Sequence, residues 1–170
     1  PICPVNDELS IGAIVILGDA ALTEASAREL LKLAPEYDYI LTAEAKGIPL
    51  AHEMARQHGD RTYFVARKTP KLYMTGVFQV DVRSITTAKD QMLYLDTAEA
   101  DMMKGKRILL VDDVISTGES ILAIEKLVKK AGGIVVGRMA ILAEGDAQKR
   151  EDIIYLEKLP VFNPDGSIKY

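Results

Sequence analysis

Apolar residues come along this chain in short runs, with stretches of helical spacing between them. The runs at 11–17, 39–42, 62–66, 107–111, 134–142 and 152–156 are short for helices and read as strands, the one at 107–111 as a strand buried on both faces. Thr23 stands where it can cap a helix over 24–34, which Pro35 stops. Pro49 takes the favoured first-turn position of a second helix, and Gly59 closes it. Ile121, Ile124, Val128 and Ala131 recur at helical spacing before Gly132 and Gly133 end the pattern. Strands and helices that alternate in this way predict an α/β fold, a parallel sheet with helices on both faces. One stretch breaks the alternation. Residues 77–85 and 91–95 read as two strands around a polar tip at 86–90, a hairpin expected to leave the main sheet, either as a mobile flap or as a plain edge hairpin. Repeats, linkers and low-complexity segments are absent from the sequence, and 170 residues predict a single domain over 1–170.

Composition narrows the class. Hydrophobic residues make up 48% of the chain, enough for an ordinary core, and the net charge of −4 argues against a dedicated nucleic-acid binder. Cys3 is the single cysteine, so no internal disulfide is expected and a reducing cytoplasm fits. The longest apolar runs fall far short of the roughly 20 residues needed to span a bilayer, so no membrane association is expected. No basic segment followed by an apolar one opens the chain, which excludes a secretory leader in these residues; it begins at Pro1 rather than methionine, which leaves room for residues upstream. His52 and His58 share a helix without a second cluster of ligands, so no protein-bound metal is expected.

The densest chemistry lies in Ile108-Leu109-Leu110-Val111-Asp112-Asp113-Val114-Ile115-Ser116-Thr117-Gly118-Glu119-Ser120. A buried strand runs into two acids, then into a small polar loop and a helix start. Ser116, Thr117, Gly118 and Ser120 offer hydroxyls and backbone N–H groups at a helix N-terminus, where an anion such as phosphate binds well. Asp112 and Asp113 stand at the C-terminal end of the strand, where open α/β sheets bind ligands. Carboxylates repel a phosphate but suit hydroxyls, so a ribose phosphate is the simplest ligand that satisfies both halves. The alternative is a strand, an Asp turn and a hydroxyl-capped helix without function. A P-loop is excluded, because no Gly-Lys-Ser/Thr ending occurs. Glu44-Ala45-Lys46-Gly47-Ile48-Pro49 likewise joins a strand to a helix; Gly47 allows close backbone approach and Lys46 adds a cation. Arg67, Lys68 and Lys71 follow the next strand, three cations within five residues.

The pattern of four hydrophobics, two acids, two hydrophobics and Ser-Thr-Gly-Glu-Ser resembles the signature of the type I phosphoribosyltransferases, which bind 5-phosphoribosyl-1-pyrophosphate (PRPP). The resemblance implies that Asp112 and Asp113 face the ribose hydroxyls and serve catalysis, and that Ser116, Thr117, Gly118, Glu119 and Ser120 wrap the 5′-phosphate. Ala45, Lys46 and Gly47 are similar to the pyrophosphate loop of purine members of that family, where Glu-Ala/Ser-x-Gly is common. The segment Ala66-Arg67-Lys68-Thr69-Pro70-Lys71-Leu72 resembles the Val-Arg-Lys-x-x-Lys-Leu of adenine phosphoribosyltransferases, and related Ala-Arg-Lys stretches occur in xanthine enzymes and in a bacterial purine repressor. Arg67, Lys68 and Lys71 would then neutralise pyrophosphate. The resemblance covers about 38–145 as a core, with 1–37 and 146–170 as a small hood over the base. It implies a purine phosphoribosyltransferase, most of all an adenine-type one giving AMP and pyrophosphate, with Mg²⁺ carried by PRPP, and a homodimer, the usual state of the family.

Two positions depart from the adenine and xanthine patterns. Adenine enzymes often carry a Tyr/Ser-x-Glu-Tyr segment in the flap; the matching place here, Ser84-Ile85-Thr86-Thr87, has no acid. That leaves a PRPP-binding regulator without turnover as an alternative reading. Xanthine enzymes place a lysine against the base after the strand matching 138–143, and here the aligned residue is Glu144. A carboxylate accepts hydrogen bonds where an ammonium only donates, so Glu144 would suit an amino purine better than xanthine.

Overall fold

The structure, a computed structural model, describes residues 1–82 and 91–169. Five parallel strands form the main sheet: β3 (Tyr39–Ala43), β4 (Phe64–Ala66), β7 (Arg107–Ile115), β8 (Ile134–Glu144) and β9 (Ile154–Leu159), in the order β4-β3-β7-β8-β9. The chain steps from β3 outward to β4, then returns to β7 on the other side of β3 and continues outward through β8 to β9. The strand order therefore reverses between β3 and β7, and the crevice at their C-terminal ends is where such sheets take ligands.

The reversal also sorts the helices onto two faces. Helices α1 (Ala20–Leu33) and α2 (Ile48–His58) pack Leu30, Leu50, Ala51 and Met54 against Ile40, Leu109 and Val111. Helix α4 (Glu119–Ala131) packs Ile121, Ile124, Leu127 and Val128 against Ile108 and Leu110 on the opposite face. Alternate residues of β7 thus feed alternate layers, which is why its apolar run is continuous. Gly59, at φ +89°, ends α2 and Gly132, at φ +77°, ends α4, the left-handed positions that favour glycine at a helix end.

Several boundaries differ from expectation. The cap of α1 is Asp19, whose carboxylate accepts from Leu22 N at 2.9 Å; Thr23 lies inside the helix and donates its hydroxyl back to Asp19 O at 2.7 Å. The strand expected at 11–17 is not one. Strand β2 (Leu9–Gly12) pairs with β1 (Ile2–Asn6) and with β10 (Val161–Phe162), and beyond Gly12 the chain leaves this small sheet to bury Ile16 under α1 and α2. The two chain ends therefore meet in that three-stranded sheet, while α1 and β9 belong to the core. Helix α3 (Thr97–Met103) interrupts what sequence spacing left as a connection; Asp96 and Glu99 form a capping box at its start.

Strands β5 (Val77–Val82) and β6 (Gln91–Asp96) pair antiparallel outside the main sheet, as their break in the alternation predicted. Reciprocal backbone hydrogen bonds between Arg67 and Tyr94, both 2.8 Å, tie this hairpin to the end of β4. Lys130 Nζ donates to Gln79 O at 2.7 Å and sits over the Phe78 ring, tying it to α4. The polar tip at 86–90 and the segment Ser84–Thr87 lie outside the described residues. Among the described residues no helix is long and apolar enough to cross a membrane.

Candidate active site

A cleft of about 390 Å³ opens at the reversal point. Its walls are Ala43, Glu44, Ala45 and Lys46 from the end of β3, Lys68 after β4, Leu93 of β6, Asp112, Asp113 and Val114 of β7, and Glu119, Ser120 and Ala123 of α4. Two segments distant in sequence, 43–46 and 112–120, are brought face to face because β3 and β7 are neighbours in register, Leu41 opposite Leu110.

Successive residues of a strand point to opposite faces, yet Asp112 and Asp113 both line the cleft. The alternation slips here: Ile115 packs in the same layer as Ile108 and Leu110, where an unbroken alternation would turn it to the other. Asp113 N donates to Asp112 Oδ1 at 2.9 Å, folding one carboxylate over the next residue's backbone. Asp113 is buried, and Lys46 Nζ reaches its Oδ2 at 3.0 Å across the cleft, although that oxygen has no partner of good hydrogen-bond geometry among the described residues. Burial, and then the adjacent Asp113 charge, push the Asp112 carboxyl up to about 7. Two adjacent carboxylates with one ammonium between them form an acceptor-rich surface, chemistry that suits vicinal hydroxyls.

The turn after β3 is shaped by Glu44 and Gly47. The Glu44–Ala45 peptide is cis. Glu44 accepts from the backbone N–H of Lys68 through Oε1 and faces Arg67 Nη1 at 3.5 Å through Oε2. It straps the basic segment to the turn. Gly47 begins α2 so close to β3 and β7 that a Cβ there would run into Thr42 Oγ1 and stand 3.2 Å from Asp112 Oδ1.

On the far wall, Gly118, at φ +80°, turns the chain into α4, and no side chain caps that helix. The first N–H groups of a helix lack intrahelical acceptors, and Glu119 and Ser120 of this helix start line the cleft. Ser116, Thr117 and Ser120 are exposed there, and Thr117 Oγ1 accepts from Glu119 N at a long 3.4 Å.

The structure thus gathers Ala45, Lys46, Lys68, Asp112, Asp113, Glu119 and Ser120 at one cleft. Gly47, Ser116, Thr117 and Gly118 flank it as parts of the same two turns. Arg67 stands behind the wall on Glu44. Lys71 is not brought in: its ammonium meets Thr69 Oγ1 at 3.0 Å in a loop whose Leu72 and Tyr73 are exposed. Glu144 is buried at the end of β8, paired in register with Leu159, and is not part of the cleft wall. Ala43, Glu44, Leu93, Val114 and Ala123 line the wall without being expected there; the Glu-Ala-Lys-Gly motif held the signal for Glu44.

The model of the phosphoribosyl transferase domain family matches residues 16–163, which is most of the chain. The chain belongs to the phosphoribosyltransferase family. It is 33% identical over 129 residues to the hypoxanthine/guanine phosphoribosyltransferase of Methanococcus voltae, covering 76% of this chain and 65% of that protein. It is also 33% identical over 147 residues to the enzyme of that name from Methanotorris igneus, covering 86% and 73%. The chain therefore spans about two thirds of the length of the first of these relatives. Among solved structures, the adenine phosphoribosyltransferase of Thermoanaerobacter pseudethanolicus superposes with a TM-score of 0.70 at 28% identity, covering 84% of each chain. The sheet order, the helices on both faces and the acid pair at the reversal point make this a type I phosphoribosyltransferase fold.

Proposed function

We propose that the chain transfers a phosphoribosyl group from PRPP to a purine base, releasing pyrophosphate. The observation that carries this reading is the single cleft that sets Asp112 and Asp113 between an uncapped helix N-terminus and a lysine-bearing turn. In it, the 5′-phosphate sits at residues 116–120, the ribose hydroxyls face the two acids, and pyrophosphate lies against Ala45, Lys46, Gly47 and Lys68. As the purine nitrogen bonds to C1′, the C1′–oxygen bond breaks and pyrophosphate departs with the electron pair; the attacking nitrogen's proton is lost to solvent or base. Positive charge grows at C1′ and negative charge on the leaving group, which Lys46 and Lys68 stabilise by position. Arg67 acts at one remove, through Glu44. A Mg²⁺ ion carried in with PRPP would find Asp112 and Asp113 as carboxylates of the cleft. Such an ion would supply charge neutralisation on pyrophosphate.

For the base, the reading built on Glu144 is an amino purine, adenine, with AMP as product. A second reading, hypoxanthine or guanine, is favoured by the printed names of the archaeal relatives. Incubation with PRPP, Mg²⁺ and each of adenine, hypoxanthine, guanine and xanthine, with nucleotide and pyrophosphate followed together, decides between them. PRPP binding without nucleotide from any base would instead mean a PRPP-binding regulator.

Two variants probe the assignments. Thr117→Ala should weaken PRPP binding by about 1.5–3 kcal/mol, the worth of a hydroxyl bond to a charged phosphate. Its fold should be untouched, since the hydroxyl is exposed and spends little on the protein. Unchanged PRPP affinity by calorimetry would remove Thr117 from the phosphate site. Glu144 lies outside the cleft wall, so a base that meets it must extend beyond the cleft to the end of β8; for a base so placed, Glu144→Lys should move preference from adenine toward xanthine, because the acceptor becomes a donor. A variant with the wild-type preference would show that Glu144 does not select the base.

A further inference from the structure

One cation near the cleft is left over by the mechanism above. Arg150 ends the 3₁₀ turn Gly145–Lys149 that follows β8. Its guanidinium reaches back to the turn before α4, so close that a Cβ at Gly118 would run into Arg150 Nη1. The other edge of the guanidinium is already spent, Nε donating to Asp152 at 2.9 Å and Nη2 at 2.7 Å. Among the described residues Nη1 makes no hydrogen bond to the carbonyls of Ser116 or Thr117, as a simple brace of the loop would.

The N-terminus of a helix is the positive end of its dipole, and a cation there is unfavourable unless an anion shares the place. Of the nearby carboxylates, Asp152 answers the far edge of the guanidinium and Glu119 stands in the first turn of α4 itself. Arg150 and Arg138 both lean on Asp152, at 2.7 and 3.9 Å, while Arg138 and Lys129 share Glu125, at 2.7 and 2.6 Å. Arg150 therefore comes to the start of α4 with its Nε and Nη2 edge paired and its Nη1 edge turned to the loop at Gly118.

We propose that Arg150 is a binding residue of the 5′-phosphate site, its Nη1 edge facing the monophosphate that residues 116–120 wrap; this rests on the phosphoribosyl reading above. Asp152 holds the fork in place, so a planar donor pair is presented without loss of side-chain freedom on binding. The turn after β8 then has a ligand role of its own, completing a phosphate cup whose other walls come from β7 and α4. A ligand with a ribose but no 5′-phosphate gains nothing from it.

The test compares two probes at the two ends of the cleft. Calorimetry with ribose 5-phosphate, and separately with pyrophosphate and Mg²⁺, is run on the wild-type chain, on Arg150→Ala and on Arg150→Gln, with a thermal midpoint for each. The expected result is a loss of roughly tenfold or more for ribose 5-phosphate in both variants, the scale of one charged hydrogen bond, with pyrophosphate affinity unchanged. Equal losses for both probes would make Arg150 a general brace and overturn the assignment. Ribose 5-phosphate affinity that the variants leave intact would overturn it too, while the phosphoribosyl reading stood. A wild-type chain that binds neither probe would overturn that reading, and this proposal with it.

Discussion

Gly47→Ala should reduce kcat/KM with PRPP by on the order of 10²-fold and lower stability by about 1–3 kcal/mol, the usual cost of overpacking. The cause is space and not backbone conformation, since Gly47 has an ordinary φ of −72°. A methyl group there meets Thr42 Oγ1 first and Asp112 next. Thr42 is fully buried, and turning its hydroxyl away only brings another branch of Cβ toward the same space. Asp112 is held by its neighbours in β7. The turn itself must then move, and with it Ala45 and Lys46, the groups that would neutralise a departing pyrophosphate. Removing the obstacle gives the check. In Thr42→Ala/Gly47→Ala the hydroxyl is gone, so the double variant should recover most of the activity that Gly47→Ala loses, a coupling that additive effects do not produce. Steady-state kinetics and thermal melts of the four chains measure it. Full activity in Gly47→Ala, or no recovery in the pair, would show that close approach at Gly47 does not position the turn.

How far the sequence carried this picture depends on the range of the interactions involved. Strands β3 and β7 and helices α2 and α4 were legible because each is defined locally: a run apolar on both faces, a Pro at a first turn, a Gly at a helix end. The acid pair and the hydroxyl-rich loop were legible for the same reason, lying within thirteen consecutive residues. The small sheet was not, because Ile11 pairs with Val161 from the opposite end of the chain, and no local period announces such a partner. The strand read at 11–17 failed at Gly12 for that reason: the apolar residues beyond it serve the core under α1 and α2, with Val15 and Leu17 left exposed. Helix α3 did leave a local mark, Asp96 three residues before Glu99, and the capping box could have been read from it. Spacing and the family resemblance both group Lys71 with Arg67 and Lys68, but in the loop after Pro70 its ammonium turns to Thr69, and it is not part of the cleft wall. Roles that act through another residue were the hardest to see. The strap from Glu44 to Arg67 and Lys68 exists only once β4 lies beside β3.

Asp112→Asn should abolish most activity and yet stabilise the chain at alkaline pH. Burial and the neighbouring Asp113 hold the Asp112 carboxyl near 7, against an ordinary value of 3.8. A carboxyl raised on folding binds its proton more tightly in the native state, so its contribution to stability is best below the unfolded value. That contribution falls as pH rises from about 4 to about 7, and above that window the full cost of a buried, repelled charge is present. Asparagine never carries that charge. The difference in stability, variant minus wild type, should be near zero at pH 4, grow through that window and level off above pH 7 at about 2 kcal/mol, less than a full three-unit shift implies because Asp112 keeps some solvent contact. In a chain of this size that corresponds to a thermal midpoint higher by roughly 4–8 °C at pH 8, measured without added metal. PRPP turnover should meanwhile fall by roughly 10²-fold, since a charged acceptor facing the ribose hydroxyls is replaced by a neutral one. Asp113→Asn separates the two effects. It removes the charge that Lys46 answers at 3.0 Å and relieves only the Asp113 share of the repulsion on Asp112, leaving its burial in place, so it should lose activity with a smaller alkaline gain. A flat stability difference between pH 4 and 8 for Asp112→Asn would show that Asp112 is not held as a strained acid awaiting its ligand.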